Sequence, residues 1–180
     1  MRSCIKEREM KIVNVRAVQP AASRKPPGWR GSLGQILVAV DTDDGLTGYG
    51  MGGGGDAGIH IVQTVLRESV TGLDAGDVEG LWTRMYRDTV AFGRKGIVIM
   101  AMSGVDLALW DLRGKREGKP VAEVLGGSTE EPVRGYRTGG KEGLEEALAS
   151  GFKAVKIGGL SRYDPIEEAD KVVTLIREVR

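Results

Sequence analysis

An α+β domain followed by the opening of a TIM-type α/β barrel is the fold class this chain predicts, on three observations. Residues 10–127 place strand-like alternation and an Asp-Gly hairpin signal ahead of three helical repeats, the pattern of an antiparallel β-meander covered by helices. From residue 128 to 180 the rhythm changes to short strands alternating with helices, which predicts parallel strands with crossover helices. About 50 residues hold only two such βα units, whereas a closed eightfold barrel needs roughly 250, so the barrel is expected to be truncated.

Each element has its own signal. Residues 1–9 are polar and are expected to be a disordered extension; strand alternation starts at Met10 and continues through "KIVNVRAVQ". The Pro-, Gly- and Ser-rich "PAASRKPPGWRGSLG" predicts a long connection carrying Trp29. "QILVAVDTDDGLTGYG" reads as two strands joined at Asp43-Asp44-Gly45, because Asp-Gly tolerates the positive φ of tight turns. Helical spacing follows over 57–70, over 77–90 behind an Asp77 cap, and over 96–115, which is apolar nearly all round and predicts a central, buried helix. Strands at 133–138 and 152–157 then alternate with helices at 141–150 and 164–180.

Composition excludes several functions. Lys+Arg 26 against Asp+Glu 25 gives a net charge of +1, so neither nucleic acid nor an anionic membrane is expected as a partner. Cys4 is the single cysteine, and no apolar run approaches the roughly 18 residues needed to cross a bilayer, so a cytoplasmic setting is expected.

Most motifs yield to a plain structural reading. Gly50, Gly52 and Gly55 spell G-x-G-x-x-G between a strand and a helix, but the preceding strand is a hairpin partner and the segment after the helix is another helix instead of a parallel strand, which contradicts a βαβ dinucleotide site. A flexible glycine loop near a ligand is the expectation instead. Asp106 and Asp111 lie five residues apart on the third helix, roughly 140° around it, and cannot converge on one ion. Asp111 is expected to pair with Lys115 at i,i+4, and Asp106 to accept hydrogen bonds from backbone or an arginine. His60, the only histidine, stands beside the glycine loop as a candidate ligand contact. Trp29 suits either an anchor for its loop or a lid.

Lys156, within "GFKAVKIGG", is the main candidate for chemistry. On a strand Ala154, Lys156 and Gly158 share one face and Val155 and Ile157 the other. In a parallel barrel the β-branched pair would pack against helices, leaving Lys156 pointing inward near the strand's C-terminal end, where barrel active sites lie.

These residues resemble the enolase superfamily, in its mandelate racemase/muconate lactonizing enzyme branch, over residues 10–180. "AMSGVDLALWDLRGKREGKPVAEVLGG" resembles the last helix and exit loop of that branch's N-terminal capping domain. "DTDDGLTGYG" resembles its hairpin, and "GFKAVKIGG" stands where the branch carries a K-x-K signature. The resemblance implies a capping domain whose loops, here around Trp29, Arg30 and Met51, close over a barrel and select substrate. It implies Mg²⁺ stabilising the enediolate formed when a base removes the proton α to a carboxylate, with the metal ligands downstream of residue 180. It also implies that Lys156 lies near the substrate carboxylate and that Thr138 contacts substrate, and it makes a homo-oligomer the expectation.

Gly158 replaces the second lysine of the signature, which speaks against a base at that position. Among superfamily activities this favours an acid-sugar dehydratase acting on a sugar-acid carboxylate, with a racemase, epimerase or cycloisomerase as the alternative. The 180-residue chain itself is expected to be inactive alone. A non-catalytic fragment or interaction module is the reading from a different class.

Overall fold

The computed structural model describes residues 9–21, 34–139 and 142–157, and 173, 174 and 177 singly. Residues 1–8, Trp29, Arg30, Gly158 and nearly all of the helix expected over 164–180 lie outside the described residues. The chain divides into two compact units, Met1–Thr129 and Glu130–Arg180.

The first unit opens with β1 (Ile12–Val18), β2 (Ile36–Thr42) and β3 (Thr47–Gly52), an antiparallel meander in the order β1-β2-β3. The β2–β3 turn follows its sequence signal: Gly45 takes φ 88, and the Thr42 hydroxyl lies within hydrogen-bond reach of both Asp44 Oδ1, at 2.6 Å, and the Leu46 carbonyl, at 2.8 Å, with one proton to share between them. Alternation sends Val15, Ala17, Ile36, Val38 and Val40 into the core, while Arg16, Tyr49 and Met51 face outward.

Helix α1 runs as Gly55–Ile61, a π-helical Val62–Leu66 and Arg67–Val70. Helix α2 (Val78–Thr89) starts behind Asp77, whose carboxylate accepts from Gly80 N at 3.0 Å. Helix α3 (Ile97–Glu117) ends at Gly118, left-handed at φ 64, and the short α4 (Val121–Val124) follows. Val62, Leu66, Leu81, Met85, Met102, Leu109 and Leu112 close the core, each burial contributing about 1.5–3 kcal/mol.

Two expectations for this unit need correction. Helix α3 is not buried all round, since Met100 is 43% and Leu107 48% exposed. Gly50 and Gly52 do not belong to a flexible loop; they lie in β3 and let it press on α3. A Cβ on Gly50 would overlap the Gly104 carbonyl oxygen, and one on Gly52 would stand 2.9 Å from that of Met100. Two of the three glycines that imitate a nucleotide fingerprint, Gly50 and Gly52, are therefore required by helix–strand contact.

In the second unit β4 (Arg137–Gly139) and β5 (Val155–Ile157) form a parallel pair around α5 (Glu142–Ala149). Both strands are shorter than their patterns predict, and Val133 is 94% exposed.

Candidate functional site

Parallel register places Arg137 beside Val155, Thr138 beside Lys156 and Gly139 beside Ile157. Arg137 Nη2 meets Glu146 Oε2 of α5 at 2.9 Å, so Arg137 marks the helix-covered face of the pair. Alternation then puts Thr138 and Lys156 together on the opposite face, both exposed. The structure thus brings a hydroxyl and an ammonium side by side at neighbouring strand ends, a pairing suited to the oxygens of a small anion.

The other candidates stand in the first unit. Met51 is 44% exposed on the outer face of β3. His60 is exposed on α1, where its carbonyl accepts from the Thr64 hydroxyl at 2.6 Å.

Several charged groups serve the fold. Lys115 Nζ donates to Asp111 Oδ2 and to the Thr47 carbonyl, both at 2.7 Å, and lies 4.8 Å from the Tyr49 ring centroid. Asp111 Oδ2 also accepts from Tyr49 N at 2.7 Å, so this carboxylate ties α3 to the edge of β3. The i,i+4 spacing foretells the Lys115 contact but not the tertiary bond to Tyr49. On the outer sheet face Asp41 accepts two hydrogen bonds from Arg16, both at 3.0 Å, and the Arg16 hydrogen bonding holds its carboxyl below the usual range.

Asp106 departs from expectation. It has no hydrogen bond or ion pair among the described residues, and burial alone pushes its carboxyl up. The neighbouring helix carbonyls are acceptors, as is a carboxylate, so α3's own backbone cannot satisfy it. Among the described residues no group of three or more His, Cys, Asp or Glu could hold a metal ion, and no helix is long and apolar enough to cross a membrane.

A three-stranded meander packed on one long helix, ahead of a parallel βα pair, defines an N-terminal capping domain. Residues 12–126 match the mandelate racemase / muconate lactonizing enzyme N-terminal domain, and the chain belongs to that family within the enolase superfamily. A candidate L-rhamnonate dehydratase of Caldivirga maquilingensis is 38% identical over 149 residues, covering 82% of this chain and 37% of that protein. The crystal structure of L-rhamnonate dehydratase from Gibberella zeae superposes with a TM-score of 0.78 at 30% identity, over 98% of this chain and 49% of that one. A racemase from Streptomyces coelicolor with bound magnesium gives a TM-score of 0.70 at 32% identity, over 93% and 51%. The chain thus spans about half the length of the solved relatives, and less of the C. maquilingensis protein.

Proposed function

We propose that this chain is the N-terminal portion of a Mg²⁺-dependent acid-sugar dehydratase, with residues 10–127 as its capping domain and 128–180 as the first two βα units of its barrel. The observation that carries this reading is the pairing of Thr138 and Lys156 on the face of β4 and β5 turned away from α5. Similarity to L-rhamnonate dehydratases supports a sugar acid as substrate.

Within that reading Lys156 holds the substrate carboxylate by a charge-assisted hydrogen bond, and Thr138 donates its hydroxyl to a neighbouring oxygen. Fixing the carboxylate there orients the α-carbon toward a base from another part of the site, since Gly158 offers none. Trp29, Arg30, Met51 and His60 are assigned to the capping side, where they choose among substrates. Among the described residues no group fits a Mg²⁺ site; in this reading the ligands come from residues beyond 180, as the family resemblance implies, and no step assigned to this chain runs through the ion.

The test is to assay the complete gene product against acid sugars with Mg²⁺, following a 2-keto product, beside Lys156→Met and Thr138→Val. Lys156→Met is expected to cost ~100-fold or more in kcat/KM and Thr138→Val about tenfold. Full activity in Lys156→Met sinks the reading. Racemisation without dehydration favours the second reading, a racemase, which the likeness to the S. coelicolor racemase supports.

A further inference from the structure

The glycines that follow β3 are buried and bonded to distant backbone. Gly53, Gly54 and Gly55 are all buried, whereas Met51 before them and Asp56 and His60 after them are exposed. Gly53 N donates to the Met100 carbonyl of α3 at 3.0 Å, and Gly55 N donates to the Gly34 carbonyl at 2.8 Å. The packing is as close as the bonding. A Cβ on Gly58, in the first turn of α1, would overlap the Gly53 carbonyl oxygen. One on Gly54, which holds φ 97, would stand 2.7 Å from Ile97 Cγ2. Glycines give a loose chain its freedom, but here their missing side chains let this segment seat on α3 and on residue 34.

A segment that swings as a lid keeps few buried contacts and exposes its backbone hydrogen bonds. This one does the reverse. Because Gly58 leans on Gly53, moving it has to part α1 from the end of β3 and break both long-range bonds together.

We propose that residues 51–60 are a preset wall of the capping domain, in which Gly58 and the Met100 carbonyl are positioning groups that fix Met51 and His60 before substrate binds. The proposal rests on the reading of Met51 and His60 as substrate-selecting, and it replaces the closing motion that the resemblance implies around Met51. Met51 pairs with Leu37 of β2, and the bond from Gly53 to Met100 follows it by two positions. His60 follows Gly58 by two positions on α1, whose first turn cannot lift without parting Gly58 from Gly53. A wall ordered in advance loses little freedom when it binds, so its fixed shape, rather than a closure step, discriminates among substrates.

Hydrogen exchange of the Gly53 and Gly55 amides in the complete gene product, without substrate, tests the wall. In wild type both should exchange roughly 1,000-fold or more slower than in an unstructured chain. Gly58→Ala forces a methyl against the Gly53 carbonyl and should speed both about tenfold or more, while Val38 and Val40 of β2 stay within about threefold. Steady-state kinetics with the acid sugar that the gene product dehydrates supplies the second readout. Gly58→Ala should raise KM about threefold to tenfold with kcat within about twofold, the sign of lost substrate holding. Met85→Ala, which empties core space on α2, should lower stability yet leave KM within about twofold. If Gly58→Ala fails to fold by near-UV circular dichroism, Gly54→Ala, strained at φ 97, takes its place with the same expectations. Three results overturn the proposal: wild-type amides that exchange near the unstructured rate, exchange indifferent to the glycine variants, or a variant with fast exchange and unchanged KM. If no acid sugar is turned over, the reaction reading fails and exchange alone decides whether the wall is preset.

Discussion

The two units put their apolar residues to different use. In the described part of residues 10–129 the sheet closes on α1, α2 and α3, and every residue of the hydrophobic core cluster belongs to this unit. In the described part of residues 130–157 only Ala147 is a buried hydrophobic, while Val133, Tyr136 and Leu148 are exposed. An antiparallel meander needs cover on one face, and the unit supplies it from its own chain. Parallel strands need cover on both faces, and β4 and β5 have α5 on one. The part carrying Lys156 is therefore the part with the least core of its own.

The largest effect should come where backbone meets backbone. Gly50→Ala sets a methyl into the Gly104 carbonyl, which can yield only by separating β3 from α3, so a loss of about 3 kcal/mol or more is expected in urea denaturation. A Gly50→Ala chain as stable as wild type would break the account of that contact. Next, Met85→Ala should cost ~2–5 kcal/mol, whereas Val133→Ala should change stability by less than about 0.5 kcal/mol. Equal losses would show that the second unit shares a core with something else.

Smaller effects sharpen the comparison. Arg16→Met should cost no more than about 1 kcal/mol near neutral pH, because the pair is partly exposed. Asp41 has its folded pKa lowered, so the pair's contribution is present above the ordinary carboxylate range and fades as pH falls through the depressed folded value. Wild type and variant should converge in acid, as read by melting temperature. Asp106 has the opposite sign: burial raises its carboxyl, so Asp106→Asn should stabilise the fold slightly at neutral pH. That gain should vanish as pH drops below the unfolded carboxylate value. In the other direction, Gly143→Ala, in the first turn of α5 with open space around it, should stabilise by about 0.5–1 kcal/mol.

Local signals were legible because short stretches of chain carry them. The Asp-Gly turn, the Asp77 cap, the alternation of β1 and β2 and the Asp111–Lys115 spacing each depend on residues a few positions apart, and each appears in the structure. The reading of Gly50 and Gly52 went astray for the complementary reason: what they touch, Gly104 and Met100, lies some fifty residues away. The candidate site divides along the same line. Strand alternation set Lys156 on one face, but which face α5 covers became readable only from Arg137 and Glu146.

Periodicity, turn chemistry and capping thus determined by sequence alone that this chain builds a helix-covered meander and then turns to βα units, because those forces act within one or two turns of backbone. Tertiary structure alone decided that β3 needs glycines, that Asp111 anchors its edge, that Asp106 has no counter-charge among the described residues and that Thr138 lies beside Lys156. Such facts depend on which distant surfaces meet, and a linear pattern carries no record of the distance between them.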